Sequence, residues 1–222
     1  FDDEPLVVAQ SLPHTPPDLK TQWSELREEE YLKRFGPVGE VSRSKNHDAG
    51  AIDVYIHPPH GRRPITTLVT SGMSDIAMSV PHGSCSPRAE LVLYVQQMHP
   101  DYVTLIRALA ELPHQHKTRL SYGSLMGNGN PAQPIFAGSV LDSYVFMIPN
   151  VDSDFRIQDS LRIDDDPLQL LWVVPITAAE RDFISSQGMQ RFCDLLDRNN
   201  HSLMLDPQRR CYVNTADALV TR

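Results

Sequence analysis

The 222 residues carry 20 basic and 28 acidic side chains, a formal charge of −8, with 41% hydrophobic and 22% charged residues. That balance disfavours direct nucleic-acid and anionic-membrane binding, both of which need clustered Lys and Arg. A chain of this length buries a sizeable core, and no apolar run approaches the ~20 residues of a membrane span.

Residues 1–17 hold four prolines and no sustained periodicity, which predicts a mobile lead-in. A helix is expected at 18–35, with Asp18 as cap and Trp23, Leu26, Leu32 and Phe35 on its buried face; Gly36-Pro37 ends it. Ile52, Val54 and Ile56 alternate with Asp53 and Tyr55 as in a half-buried strand, and ITTLVT at 65–70 reads as its hairpin partner. AELVLYVQ at 89–96 is apolar on both faces and therefore central in a sheet. Pro100 and Asp101 open a helix that Pro113 is expected to stop, followed by a short strand at 117–122. Further strands are predicted at 139–148 and 168–175. Thr177 and Glu180 form a capping box at the start of one long helix over 177–198, and SLMLDPQRRCYV supplies a last strand. Residues 18–213 thus form one domain, with 214–222 as a tail. Strands arriving in groups between helices favour an α+β fold, a mixed central β-sheet flanked by helices.

Few strings carry chemistry. TLVTSGMSD at 67–75 offers Ser71 and Ser74 as nucleophiles, yet it lacks the GxSxG elbow. A strand ending in a glycine turn fits it better: Gly72 makes the turn and Asp75 satisfies backbone N–H groups. GNGN at 127–130 has no phosphate-loop ending. His57 with His60, and His114 with His116, lack companions at ligand spacing, and the aspartates from 152 onward lack a calcium loop's Gly and Glu, so neither a metal nor a cofactor is expected. Cys85, Cys193 and Cys211 are odd in number with no CxxC pair, which points to a reducing, cytoplasmic setting.

Several strings in order resemble the suppressor-of-fused domain family: TLVTSGMSD with Met78, Val80 and Pro81; RAEL at 88–91; ALAELPH; the SYG…GNG loop at 121–129; and LQLLWVVPITAAERDFISSQGMQRFCDLL at 168–196. The resemblance covers about 30–210. It implies a suppressor-of-fused-like α+β domain that binds protein and has no known catalysis. Thr70, Ser71, Gly72, Met73, Ser74, Asp75 and Glu90 then serve architecture. The animal member grips an extended peptide of a transcription factor between this domain and a second one, whereas single-domain bacterial relatives resemble immunity proteins of polymorphic toxin systems. The family's peptide-gripping edge corresponds to Leu112–Met126, which singles out His114, Tyr122, Gly123 and Ser124. A strand edge there offers unpaired backbone groups for strand addition.

Three readings follow. The first is an immunity or antitoxin-like protein that neutralises a basic toxin, such as a nuclease, with Asp164, Asp165 and Asp166 steering the encounter. The second is a scaffold or regulatory domain of a longer polypeptide, which suits a chain beginning at Phe1 rather than Met. The third is a hydrolase using Ser71 or Ser74, which requires a histidine and a carboxylate within reach.

Overall fold

The computed structural model describes residues 17–45, 50–61, 63–79 and 86–213. Helix α1 (Pro17–Phe35) leads into strands β1 (Glu40–Ser42), β2 (Asp53–His57) and β3 (Thr66–Ser71), then a 3₁₀ turn at Met73–Asp75. Strand β4 (Ala89–Val95), helix α2 (Pro100–His116) and strands β5 (Leu125–Gly127) and β6 (Ser143–Met147) follow. Two single-turn helices, α3 (Asp152–Phe155) and α4 (Ile157–Ser160), precede a small hairpin of β7 (Arg162–Ile163) and β8 (Asp166–Pro167). Strand β9 (Gln169–Ile176) and helices α5 (Ala178–Gln187) and α6 (Met189–Arg198) complete the set.

Seven strands form one sheet in the order β1-β2-β3-β4-β9-β6-β5. Among the described residues only the β4–β9 pair is parallel; the other pairs in the sheet are antiparallel. This is the mixed α+β architecture expected. Every residue of β4 is buried, as its two-sided apolar pattern requires. Ile52, Val54, Leu68, Leu91 and Phe146 pack on one face with Ile106, Leu109 and Ala110 of α2. Tyr55, Val69, Tyr94, Val145 and Trp172 pack on the other with α1, α5 and α6. The result is three layers with the sheet in the middle.

Several details depart from the sequence reading. The buried stripe of α1 is Trp23, Arg27, Tyr31 and Phe35, at a spacing of four, while Leu26 and Leu32 are 44% and 53% exposed. The position that completes this stripe is an arginine, buried at 2% exposure. The Asp18 cap and the lead-in over 1–16 lie outside the described side chains. Strand β1 carries no run long enough to announce itself, and β6 is shorter than 139–148. Pro113 does not stop α2: it lies inside the last turn, and the helix ends when Lys117 turns left-handed (φ 50°) and gives its N–H to the Pro113 carbonyl. That turn, and the bend closed by the Ser124 N–H on the Ser121 carbonyl at 3.0 Å, replace the strand expected at 117–122. Gly188 (φ 86°) splits the expected 177–198 helix in two, and the Thr177–Glu180 capping box is present as read. Residues 202–213 form no strand. They are pinned instead by separate contacts, such as Leu205 N–H to the Tyr94 carbonyl at 2.8 Å and the Arg209–Glu180 ion pair.

Candidate protein-binding site

The TSGMSD string folds into the 3₁₀ turn after β3, and its side chains enter a buried polar network. Glu90 of β4, fully buried, accepts from the Thr70 hydroxyl (2.6 Å), Gly72 N–H (2.9 Å), Ser74 N–H (3.0 Å) and the Ser74 hydroxyl (2.7 Å). Arg27 reaches in from α1, donating to the Ser71 hydroxyl (2.8 Å), the Ser74 hydroxyl (3.0 Å) and the Asp75 carboxylate (2.6 Å). A Cβ on Gly72 (φ 123°) would stand 2.3 Å from the Ala51 carbonyl oxygen, so only glycine fits. Glu90 satisfies the backbone N–H groups of Gly72 and Ser74, and Asp75 pairs with Arg27. Burial pushes the Asp75 carboxyl above its ordinary range, with Arg27 opposing. Arg27 thus donates to both serine hydroxyls, and the Ser74 hydroxyl in turn donates to Glu90, so both serines are tied into the buried network. His114 points inward from the last turn of α2, its Nε2 2.9 Å from the Met73 carbonyl oxygen.

The chain then runs to the sheet's outer strand. Tyr122 is 46% exposed, with its hydroxyl toward Cys193 Sγ at 3.9 Å. Gly123 (φ 79°) gives its N–H to the Phe146 carbonyl at 2.8 Å, and the Ser124 carbonyl accepts from Phe146 N–H at 3.1 Å. β5 continues with Leu125 opposite Val145 and Met126 opposite Tyr144. In an antiparallel ladder the paired groups alternate. The Ser124–Phe146 and Asn128–Asp142 bonds therefore assign Met126 to β6 and turn the N–H and C=O of Leu125 and the N–H of Gly127 outward. Among the described residues β5 is the last strand in its sheet, and no described strand pairs with its outer side.

Asp164, Asp165 and Asp166 lie elsewhere. Asp164 (φ 54°) and Asp165 (φ 68°) are the two central residues of the β7–β8 turn, a geometry Asp tolerates. Arg88, itself buried, bonds Asp164 (3.0 Å), Asp166 (3.3 Å) and the Ser74 carbonyl (2.8 Å), and lies 5.1 Å over the Trp23 ring. Asp165 is exposed and takes no part in that pairing. The hairpin precedes the start of β9, whereas β5 lies level with its end and two strands away. Tyr122, Gly123 and Ser124 therefore share one edge, His114 faces the core, and the acidic hairpin is a separate surface.

Two open grooves flank this end of the sheet. One, of about 500 Å³, runs between α2 and β5–β6 and is floored by Met126 and Tyr144. The other, of about 430 Å³, lies beside α6 and includes Tyr122, Trp172, Cys193 and His201. Burial and the nearby Arg209 hold His201 down at about 4. Its unfolded counterpart binds a proton first, so stability is full above pH 6.5 and falls as pH drops from 6.5 toward 4, by roughly 1.4 kcal/mol per pH unit. Urea midpoints across that window are expected to fall less steeply in His201→Phe; an unchanged slope would remove His201 as the cause.

The family model of suppressor of fused protein (SUFU) matches residues 48–210, well over half of the chain. The chain belongs to the suppressor-of-fused family. Solved SUFU structures share its fold. The SUFU homologue from Neisseria gonorrhoeae superposes with a TM-score of 0.68 at 14% identity, covering 88% of this chain and 99% of that one. A chain of the Sufu–Fu complex gives 0.59 at 12% identity, covering 93% and 97%. Drosophila Suppressor of Fused gives 0.58 at 11% identity over 93% of this chain and 56% of its own length. No curated protein sequence matches. The Arg27 network and the α2 groove escaped the sequence reading; Arg27, four residues from both Trp23 and Tyr31, was the one available signal.

Proposed function

We propose that this SUFU domain holds a protein partner by adding one of the partner's segments as a strand to the open edge of β5, and that it acts without catalysis. The outward backbone groups of Leu125 and Gly127 carry this reading, because main-chain pairing along an edge supplies affinity without a dedicated cleft. Tyr122, Gly123 and Ser124 shape the approach to that edge. The finer reading is a cytoplasmic immunity protein that neutralises a basic toxin. The formal charge of −8 supports it, since opposite fields raise the encounter rate. Asp165 is the steering charge of the acidic turn, while Asp164 and Asp166 hold Arg88. A scaffold or regulatory domain in a longer polypeptide is the second reading. Its support is that the chain spans 56% of Drosophila Suppressor of Fused.

Gly127→Pro tests the edge, because it deletes an outward N–H and leaves the Met126 pairing with β6 intact. Partner affinity, measured on the protein co-purified from the native host, is expected to drop at least about tenfold with a near-native melting temperature. Undiminished affinity would refute strand addition. Growth rescue on co-expression with a neighbouring toxin gene separates the immunity reading from the scaffold reading.

A further inference from the structure

Helix α2 packs against β2, β3 and β4. The sheet continues beyond β4 through β9, β6 and β5, so its far end extends past the helix on this face. The gap is the groove of about 500 Å³, walled by Leu105, Leu109 and Leu112 and floored by Met126 and Tyr144. Phe136, stacked edge-on against Tyr102 at 5.8 Å, closes one end. On the β5 side, Gly127 and Gly129 border it with bare backbone.

Two observations identify what fits. The outward N–H and C=O groups of β5 adjoin the groove, and successive side chains of a strand alternate between sheet faces. A strand added to β5 therefore brings every second side chain to the α2 face, beside Met126. The Phe136 end also carries one carboxylate, that of Asp101, 3.4 Å from His99 Nδ1. Asp101 is exposed at the groove's margin, and the Tyr102 hydroxyl, whose pKa rises mainly through burial, lies in the fields of Asp101 and Asp206.

We infer that the groove between α2 and β5–β6 is the specificity pocket of this edge, and that it takes one large apolar side chain of an extended, basic peptide segment, with a Lys or Arg of that segment set against Asp101. The inference rests on the strand-addition reading and narrows it. The edge sets backbone register without regard to sequence, and the groove selects sequence by burying the anchor, worth about tenfold or more in affinity when a Leu or Phe is fully covered. A reading that rested on the acidic turn alone would place the basic residues of the partner without fixing their spacing from an apolar one.

Panning a phage-displayed random dodecapeptide library on the full chain, then titrating the enriched sequence as a labelled synthetic peptide, tests this. The expected consensus holds one Leu, Ile, Phe or Trp with Lys or Arg close by. Anchor→Ala in the peptide, and Ala108→Trp in the protein, should each weaken binding at least about tenfold. Ala108 is an exposed residue of the groove wall, so the tryptophan fills the groove without entering the core. Peptides that lose affinity on Gly127→Pro but ignore Ala108→Trp would overturn the pocket and leave strand addition standing. Peptides that respond to Ala108→Trp and ignore Gly127→Pro would support the groove and overturn the edge. Enrichment of no sequence, or of one with no apolar anchor, overturns the inference.

Discussion

Glu90→Ala is expected to cost about 4 kcal/mol, close to the whole stability of a marginal domain. Glu90 accepts four hydrogen bonds, two of them from the backbone N–H groups of Gly72 and Ser74, and it lies 3.8 Å from Arg27. Truncation strands both N–H groups in the core, each at about 1–3 kcal/mol. It also leaves Arg27 with Asp75 as its remaining carboxylate. Glu90→Gln keeps the volume, but its amide places donors where two acceptor oxygens are required, so an intermediate loss is expected. Urea unfolding of the purified variants measures both. A loss below about 1 kcal/mol for Glu90→Ala would show that water enters and replaces the carboxylate.

Arg209→Ala should loosen the C-terminal segment as well as lower global stability, by about 3–5 kcal/mol. The Arg209 guanidinium forks onto Glu180, at 2.8 and 2.7 Å, and also reaches the Pro175 carbonyl at 2.8 Å. Glu180 is fully buried and caps α5 by accepting from Thr177 N–H at 2.9 Å, while its other oxygen accepts from Tyr212 N–H at 2.9 Å. One pair thus joins the end of β9, the start of α5 and residues 209–212. Arg209→Lys is expected to recover little, because a single ammonium cannot span both carboxylate oxygens and the carbonyl. Limited proteolysis is expected to cut first between α6 and Val213 in Arg209→Ala, well before the unaltered protein is cleaved there. Equal cleavage rates would show that apolar contacts alone hold the segment.

Both variants remove contacts between segments distant in the chain. Alternation and apolar runs located β2, β3, β4 and β9, because strand burial repeats every two residues whatever the neighbours are. The Thr177–Glu180 box marked a helix start, because capping is satisfied within four residues. Arg27 was missed for the opposite reason. An arginine in an apolar stripe makes sense only when Ser71, Ser74, Asp75 and Glu90, more than forty residues on, converge upon it. Leu26 and Leu32 were misplaced by the same gap: a leucine is buried only if another element covers it, and that is not a local property.

The site divides the same way. Tyr122, Gly123 and Ser124 were singled out by the family resemblance, and the fold places them beside β5, the last strand in the described sheet. Asp164, Asp165 and Asp166 looked equivalent as a run of charge, and tertiary structure separated them by bringing Arg88 to two of the three. What the residues determined by themselves was periodicity, capping, the sign of the field and the ordered motifs of the family. What the folded chain alone decided was which strand became the edge, that α2 stops short of it, and which charges are neutralised. Those outcomes depend on contacts between distant segments, whose energies no local window contains.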